Sequence, residues 1–200
     1  MTQTELARFF AHAASYPATL REQRNRILQT AQHREAAVLL AAVYREAEWQ
    51  ILLTRRADTL RQHTGQIALA GGRRDGSDNS LVCTALRETR EETGIDTGLW
   101  QTFPQLPPYY TPSGYAVSPV PALCEESPPT RANAAEVAEI FYLPLDFALT
   151  QENYASRAFT HQGRTLSVPA LPYLHYDIWG LTAMILYDLA ERYHHYQKAV

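Results

Sequence analysis

Three glutamates and two arginines crowd into eight residues, RETREETG, from Arg87 to Gly94. On a helix, Glu88, Glu91 and Glu92 stand three and four residues apart and share one face, with Cβ atoms about 6 Å from each other. Like charges at that spacing repel by a few tenths of a kcal/mol per pair. Carboxylates near a helix C-terminus also oppose the macrodipole. Such a face is either a solvated surface, in which Arg87 pairs with Glu91 one turn on, or a site that meets a cation. Hard divalent cations such as Mg²⁺ take carboxylate oxygens together with water and substrate phosphates. Spacing alone leaves both readings open.

The elements around the stretch have to hold it. Asp78, Asn79 or Ser80 can cap a helix that runs to Thr93, and Gly94 then ends it. Upstream, TGQIALAGG reads as a short strand ending at Gly71-Gly72, and glycine lets a backbone carbonyl come close to the acidic helix. Strand, loop and helix form a cradle with an acid-rich interior. AAVLLAAVY, Ala36 to Tyr44, is a continuous apolar run and reads as a buried strand. WQILLTRR is its neighbour across the turn Arg45 to Glu48. Further strands are expected near Trp100 to Gln105, Tyr115 to Leu123 and Val137 to Leu143, with a hairpin turning at Gln162-Gly163. Helices are expected over Thr4 to Ala14, with Leu6, Phe9 and Phe10 inward, again after Pro17, and over Ile178 to Tyr196. In the last, Ile178, Leu181, Ile185 and Leu189 share a face. The pattern is an α/β (α+β) layered fold, a mixed β-sheet with helices packed on it.

The chain has 200 residues and a net charge of −3, enough for one domain with a real core and against nucleic-acid binding by bulk charge. The charge is unevenly spread. Five arginines and one acid lie between Arg55 and Arg74, and five acids follow from Asp75 to Glu92. A basic patch feeding an acidic one suits an anionic substrate that meets the acids through a metal. Cys83 and Cys124 have no metal or redox spacing and read as buried free thiols, which fits a reducing compartment. MTQTELARFFAHAA lacks the pattern of a signal peptide, and no apolar run is long enough for a membrane span. A cytoplasmic location without membrane partners is the expectation.

At this point the residues match a known family. GGRRDGSDNSLVCTALRETREETGI resembles the Nudix box, whose core is Arg-Glu-(apolar)-x-Glu-Glu-x-Gly-(apolar) after a glycine and a spacer. Two lapses stand out: Thr89 takes the apolar position, and the spacer from Gly72 to Arg87 is one residue longer than the general pattern, which removes the box's upstream glutamate and leaves Asp75 or Asp78 nearby. LLTRRADTLRQHTGQIALAGG, Leu52 to Gly72, is similar to a second pattern, that of the coenzyme A pyrophosphatases: Leu-Leu-Thr-x-Arg, then Leu-Arg-x-His-x-Gly-Gln, then Phe-Pro-Gly-Gly. Leu69-Ala70 replaces Phe-Pro. The resemblance covers about residues 36–189 of a single domain over 1–200, and leaves residues 1–33 as an N-terminal helical extension.

The resemblance implies a Nudix-type α/β/α sandwich with a catalytic strand–loop–helix. It implies hydrolysis of the diphosphate of coenzyme A, or of its acyl or oxidised forms, to 3′,5′-ADP and 4′-phosphopantetheine or its derivative. The alternatives are a Nudix hydrolase for another substrate such as ADP-ribose, and a non-catalytic nucleotide-binding domain. The implied cofactor is Mg²⁺ or Mn²⁺, with Glu88 and Glu92 as first ligands, Glu91 as a further ligand or the base, and the carbonyl of Gly72 as an extra ligand. Arg87 would orient the glutamates. Arg55, Arg61, His63, Gly65 and Gln66 are the candidate substrate-binding residues, since arginine's fork matches phosphate oxygens. Glu136 and Glu139 are candidates for an additional acid. Tyr109, Tyr110 and Tyr115 could stack on adenine but read rather as core or loop packing, and Trp179 reads as core or dimer interface rather than substrate-binding. A homodimer is common in this fold family, and the sequence leaves oligomeric state open.

Overall fold

The computed structural model describes residues 1–28, 32–58, 65–161 and 164–199. Its strands are β1 (Arg34–Arg45), β2 (Glu48–Arg56), β3 (Ile67–Ala68), β4 (Gly71–Arg73), β5 (Gln101–Thr102), β6 (Tyr109–Tyr110), β7 (Tyr115–Cys124), β8 (Val137–Pro144), β9 (Ala155–His161), β10 (Arg164–Tyr173) and β11 (Tyr176–Trp179). Its helices are α1 (Gln3–His12), α2 (Thr19–Leu28), α3 (Leu81–Thr93), α4 (Leu145–Leu149) and α5 (Gly180–Ala199).

β1 is the spine of the larger, mixed sheet. It pairs antiparallel with β2 and β4 and parallel with β7, from Arg34↔Tyr115 to Val43↔Cys124. The apolar run in β1 is continuous because both faces of the strand are covered. Ala37, Leu39, Ala41 and Val43 face the layer containing Ala85 of α3, Ile95 and Trp100. Leu40 and Ala42 face the layer built from Leu6, Phe9 and Phe10 of α1 and Ile185 and Leu189 of α5. The period of two along one strand thus feeds two cores. A smaller antiparallel sheet, β11-β10-β9, packs beside α5.

Three expectations change in the structure. The strand drawn through TGQIALAGG is two short strands: β3 pairs with β2, the chain steps across at Leu69 and Ala70, and Gly71-Gly72 begin β4 on β1. Ile178 is not in the last helix. It pairs with Leu171 in β11, and Gly180 at φ 68° makes the corner into α5. Cys124 is buried, but Cys83 is exposed, because α3 turns Ala85, Thr89 and Glu92 inward instead. The expected hairpin turn at Gln162-Gly163 lies outside the described residues, although β9 and β10 pair on either side of it. Among the described residues, no helix is long and apolar enough to cross a membrane.

Candidate active site

α3 carries the glutamates, and both of its ends are fastened. Ser80 caps the N-terminus by accepting from the Cys83 N–H. Gly94 adopts φ 74° at the C-terminus and donates to the Arg90 carbonyl. The Glu92 and Thr93 carbonyls, which have no partner within the helix, accept from the N–H groups of Asn133 and Arg131 at 3.0 and 2.7 Å. The loop before β8 is thereby tied to the acidic end of α3. That brings Glu136 into the electrostatic surroundings of Glu88 and Glu92. Glu139 is not there; it accepts from the Tyr176 hydroxyl at 2.6 Å and pairs with Arg55.

The glutamates differ in setting. Glu92 is 4% exposed, and burial pushes its carboxyl up to about 8, against the opposing effects of a hydrogen bond from Gly71 and the charge of Arg56. Glu88 lies over Gly72: a Cβ on that glycine would stand 2.5 to 2.6 Å from its carboxylate atoms. Burial raises the Glu88 carboxyl too, while Arg87 opposes the shift. Glu91 is exposed and accepts from Arg87 Nη1 at 3.1 Å, the i,i+4 pair expected of a helix surface.

Arg87 organises the group. Its Nη1 donates to Glu88 at 2.9 Å and to Glu91 at 3.1 Å, while its Nε and Nη2 grip the two oxygens of Asp78. Asp78 also accepts from the Thr84 hydroxyl and the Asp75 N–H. Those donors, Arg87 first, hold its carboxyl well below the usual range. The acid displaced by the longer spacer is thus replaced in space by Asp78, 8% exposed, as a partner of Arg87 rather than of the glutamate face.

Thr89, the misfit at the apolar position, is fully buried and donates its hydroxyl to the Ala85 carbonyl at 2.7 Å. A threonine can bury at a helix–sheet contact when its hydroxyl bonds back one turn. The loss of Phe-Pro before the glycines is absorbed in a similar way. Leu69 and Ala70 are buried, and the Ala70 carbonyl accepts from the Leu39 N–H at 2.8 Å. Gly71 is held by a stricter demand, since a Cβ there would strike the backbone of Ala37 and Val38.

A cleft of about 460 Å³ is linked to this group through Arg56, which lines it and whose charge acts on Glu92, although the three glutamates are not among its lining residues. Arg56, Gln66 and Leu69 line it, facing Phe159, Trp179 and Leu181. Trp179, expected in a core or dimer interface, is part of this wall. Adjacent residues of a strand point to opposite faces, and here that separates the two arginines of β2. Arg55 is bound to Asp58 and Glu139 outside the cleft, whereas Arg56 lines it and leaves its buried Nε without a hydrogen-bond partner among the described residues. Arg56, rather than Arg55, also fills the last position of Leu-Leu-Thr-x-Arg. Gly65 at φ 68° turns the chain so that the N–H and carbonyl of Arg56 pair with the Gln66 carbonyl and the Gly65 N–H. Arg61 and His63 lie outside the described residues. Tyr109 is buried, with its hydroxyl on Asp188, so it packs as expected. His194 is exposed on α5.

Among the described residues, no three His, Cys, Asp or Glu side chains converge into a ready-made cation cage. The reason is visible: Arg87 draws Glu88 and Glu91 outward, and Glu92 bonds to Gly71. The donor set still fits a hard divalent ion. Glu88 and Glu92 bring carboxylate oxygens, the bare Gly72 leaves room beside them, and the raised Glu92 carboxyl marks a buried acid short of positive charge.

The comparisons with known proteins agree with this geometry. Residues 33–162 match the NUDIX domain family. The uncharacterized Nudix hydrolase NudL of Yersinia pestis (strain Pestoides F) is 41% identical over 163 residues, which cover 82% of this chain and 81% of the relative. The NudL of Yersinia pseudotuberculosis serotype O:1b (strain IP 31758) matches to the same extent. Among solved structures, a MutT/nudix family protein from Enterococcus faecalis has the same fold, with a TM-score of 0.51 at 16% identity over 99% of this chain and 75% of that one. With its fastened glutamate helix, the glycine pair beneath it and a matched domain of 130 residues, this chain belongs to the Nudix family and is a Nudix hydrolase, a pyrophosphatase.

Proposed function

We propose that the enzyme hydrolyses the diphosphate of coenzyme A or one of its derivatives, releasing 3′,5′-ADP and 4′-phosphopantetheine or its acyl form. The observation that carries this reading is the junction of two motifs. The arginine-bearing segment resembling the coenzyme A pyrophosphatases delivers Arg56 and Gln66 to the wall of the cleft, and the charge of Arg56 acts on Glu92 of the glutamate helix. A guanidinium with an unpartnered buried nitrogen suits a phosphate oxygen. The apolar wall, including Leu69, Phe159, Trp179 and Leu181, suits the nucleoside and pantetheine parts.

Glu88 and Glu92 would hold Mg²⁺ or Mn²⁺, with the carbonyl of Gly72 and Glu91 as further donors. When bound, the metal supplies charge neutralisation on the bridging phosphates and a more acidic water. Arg87 keeps Glu88 and Glu91 on the same side of the helix and is itself anchored by Asp78. Arg56 holds a phosphate oxygen. Glu91, the most exposed of the three carboxylates, takes the proton from the attacking water if it is not drawn into the ligand set.

A panel of coenzyme A, acetyl-coenzyme A, ADP-ribose and a dinucleoside polyphosphate, each with Mg²⁺ and with Mn²⁺, tests the reading through released phosphomonoesters. Coenzyme A or its thioester should turn over with the highest kcat/KM. Turnover of ADP-ribose with coenzyme A left intact would overturn it. Glu92→Gln should abolish turnover of every substrate while the folded structure persists.

A further inference from the structure

The cleft contains a second arginine. Arg24 belongs to α2, outside the residues 33–162 that match the NUDIX domain, yet it lines the cleft. It also lines a smaller apolar recess of about 90 Å³, together with Leu20, Ile27, Leu28 and Met184. Phe159 and Val168 border both spaces, so Arg24 stands where the cleft meets the recess.

Its contacts are few for a guanidinium in such a place. Nε donates to the Tyr110 carbonyl at 3.2 Å, and Nη1 lies 3.6 Å from the Met184 sulfur. Among the described residues, no carboxylate comes within ion-pair distance of it. Asp188 acts on it only at longer range and has its own bond from the Tyr109 hydroxyl. Three other arginines near the site, Arg55, Arg74 and Arg87, are each paired with acids. A guanidinium has five N–H donors, and a charge set among apolar side chains is unfavourable until something compensates it. Burial indeed lowers the Arg24 pKa, which agrees with a cation short of a partner. An anionic ligand entering the cleft would supply that partner.

We infer that Arg24 binds a second anionic group of the substrate, one that is distinct from the scissile diphosphate. This rests on the reading of the cleft as the substrate site. The N-terminal helical extension is then part of the specificity apparatus, since α2 delivers a cation that the Nudix core does not possess. Tyr110 and Asn25 fix its position: the Asn25 side chain accepts from the Tyr110 N–H at 2.9 Å and donates to the Pro108 carbonyl at 2.8 Å, tying α2 to the segment around β6. In a coenzyme A derivative the second anion has two sources, the 3′-phosphate of the nucleoside or a carboxylate on the acyl chain.

The test compares substrates that differ by one anionic group. One pair is coenzyme A and 3′-dephospho-coenzyme A; the other is the succinyl and butyryl thioesters. The wild-type enzyme should prefer the anionic member of one pair, which identifies the source. In Arg24→Gln the ratio of kcat/KM within that pair should fall about tenfold or more, the size of one charge-assisted hydrogen bond, with the change in KM. Arg24→Lys should restore part of the ratio. A wild-type enzyme indifferent within both pairs, or an Arg24→Gln variant that loses equally on both members, overturns the inference. Should no coenzyme A derivative be cleaved, the proposed function fails on its own. Arg24 is then read by calorimetry on the full chain with adenosine 3′,5′-bisphosphate and 5′-AMP: tighter binding of the bisphosphate that Arg24→Gln removes sustains the role, and equal binding ends it.

Discussion

Both carboxylate oxygens of Asp78 are gripped by Arg87, from Nε at 3.0 Å and Nη2 at 2.9 Å. This pair lies between the loop after β4 and the face of α3, and the same guanidinium reaches Glu88 and Glu91. Planar two-point contacts fix orientation as well as charge. Asp78→Ala should therefore release Arg87 and let it pair more closely with the glutamates it now positions. The expected result is a loss of about 2 kcal/mol of stability, a lower kcat, and weaker Mn²⁺ binding by titration. A variant with normal kcat and normal metal affinity would show that the clamp is only a fastening of the loop.

Gly71 and Gly72 are adjacent but should fail differently. A Cβ on Gly72 meets the carboxylate end of Glu88, a flexible side chain that can swing aside. Gly72→Ala should fold with a thermal midpoint close to wild type and lose activity by about 10²-fold, the scale of a displaced catalytic group. A Cβ on Gly71 meets the Ala37 and Val38 backbone, which cannot move without opening β1. Gly71→Ala should be destabilised by about 3 kcal/mol or more, read by urea unfolding.

Thr89 tests whether the departure from the apolar position matters. Its hydroxyl is an extra donor to a carbonyl, Ala85, that sits inside the helix ladder. Thr89→Val removes that donor without orphaning the acceptor and should change stability by about 1 kcal/mol or less. Thr89→Leu adds volume to a fully buried position and should cost about 1–3 kcal/mol. Equal effects of the two would mean that the hydroxyl, not the volume, is what the site needs.

Metal affinity should depend on pH through Glu92. Burial raises its carboxyl to about 8, and a carboxylate must lose its proton to become a ligand. The apparent Kd for Mn²⁺ should therefore fall as pH rises from 6 towards 9, with a proton released on binding. Calorimetry in two buffers of different ionisation enthalpy measures that proton. In Glu92→Gln the release should disappear along with tight binding.

Folding stability should carry a second pH dependence, from Asp188. Burial lifts its carboxyl from 3.8 to about 7. One oxygen bonds to Tyr109, and the other has no partner among the described residues. Arg192 and Arg21 oppose the rise, while Glu191 adds to it. The folded state thus holds a proton that the unfolded state releases above about 4. Stability should be greatest at and below pH 4 for this group and fall as pH rises through about 7. The total loss should be on the order of a few kcal/mol, since a tenfold change in proton affinity corresponds to about 1.4 kcal/mol. Asp188→Asn keeps the Tyr109 contact and should flatten the slope between pH 4.5 and 8 in urea titrations.

Local patterns by themselves determined much of this protein. A glycine pair, a spacer, glutamates at helical spacing and a terminal glycine are short-range features, and they placed α3, its caps and the acidic face where they stand. The apolar run of β1 likewise announced a strand covered on both sides. Only the tertiary structure decided which charges meet. Arg55 and Arg56 are neighbours in sequence, but the pleat of β2 sends one to Glu139 and the other to the cleft. Asp78 became the partner of Arg87 because the loop folds back over α3, and Arg24 reached the cleft because α2 docks on the segment around β6. Ile178, apolar at helical spacing, became a strand residue because β10 offered it an edge. Helix spacing and caps are set by bonds within a few residues, whereas a salt bridge or a sheet edge depends on partners brought together from far along the chain.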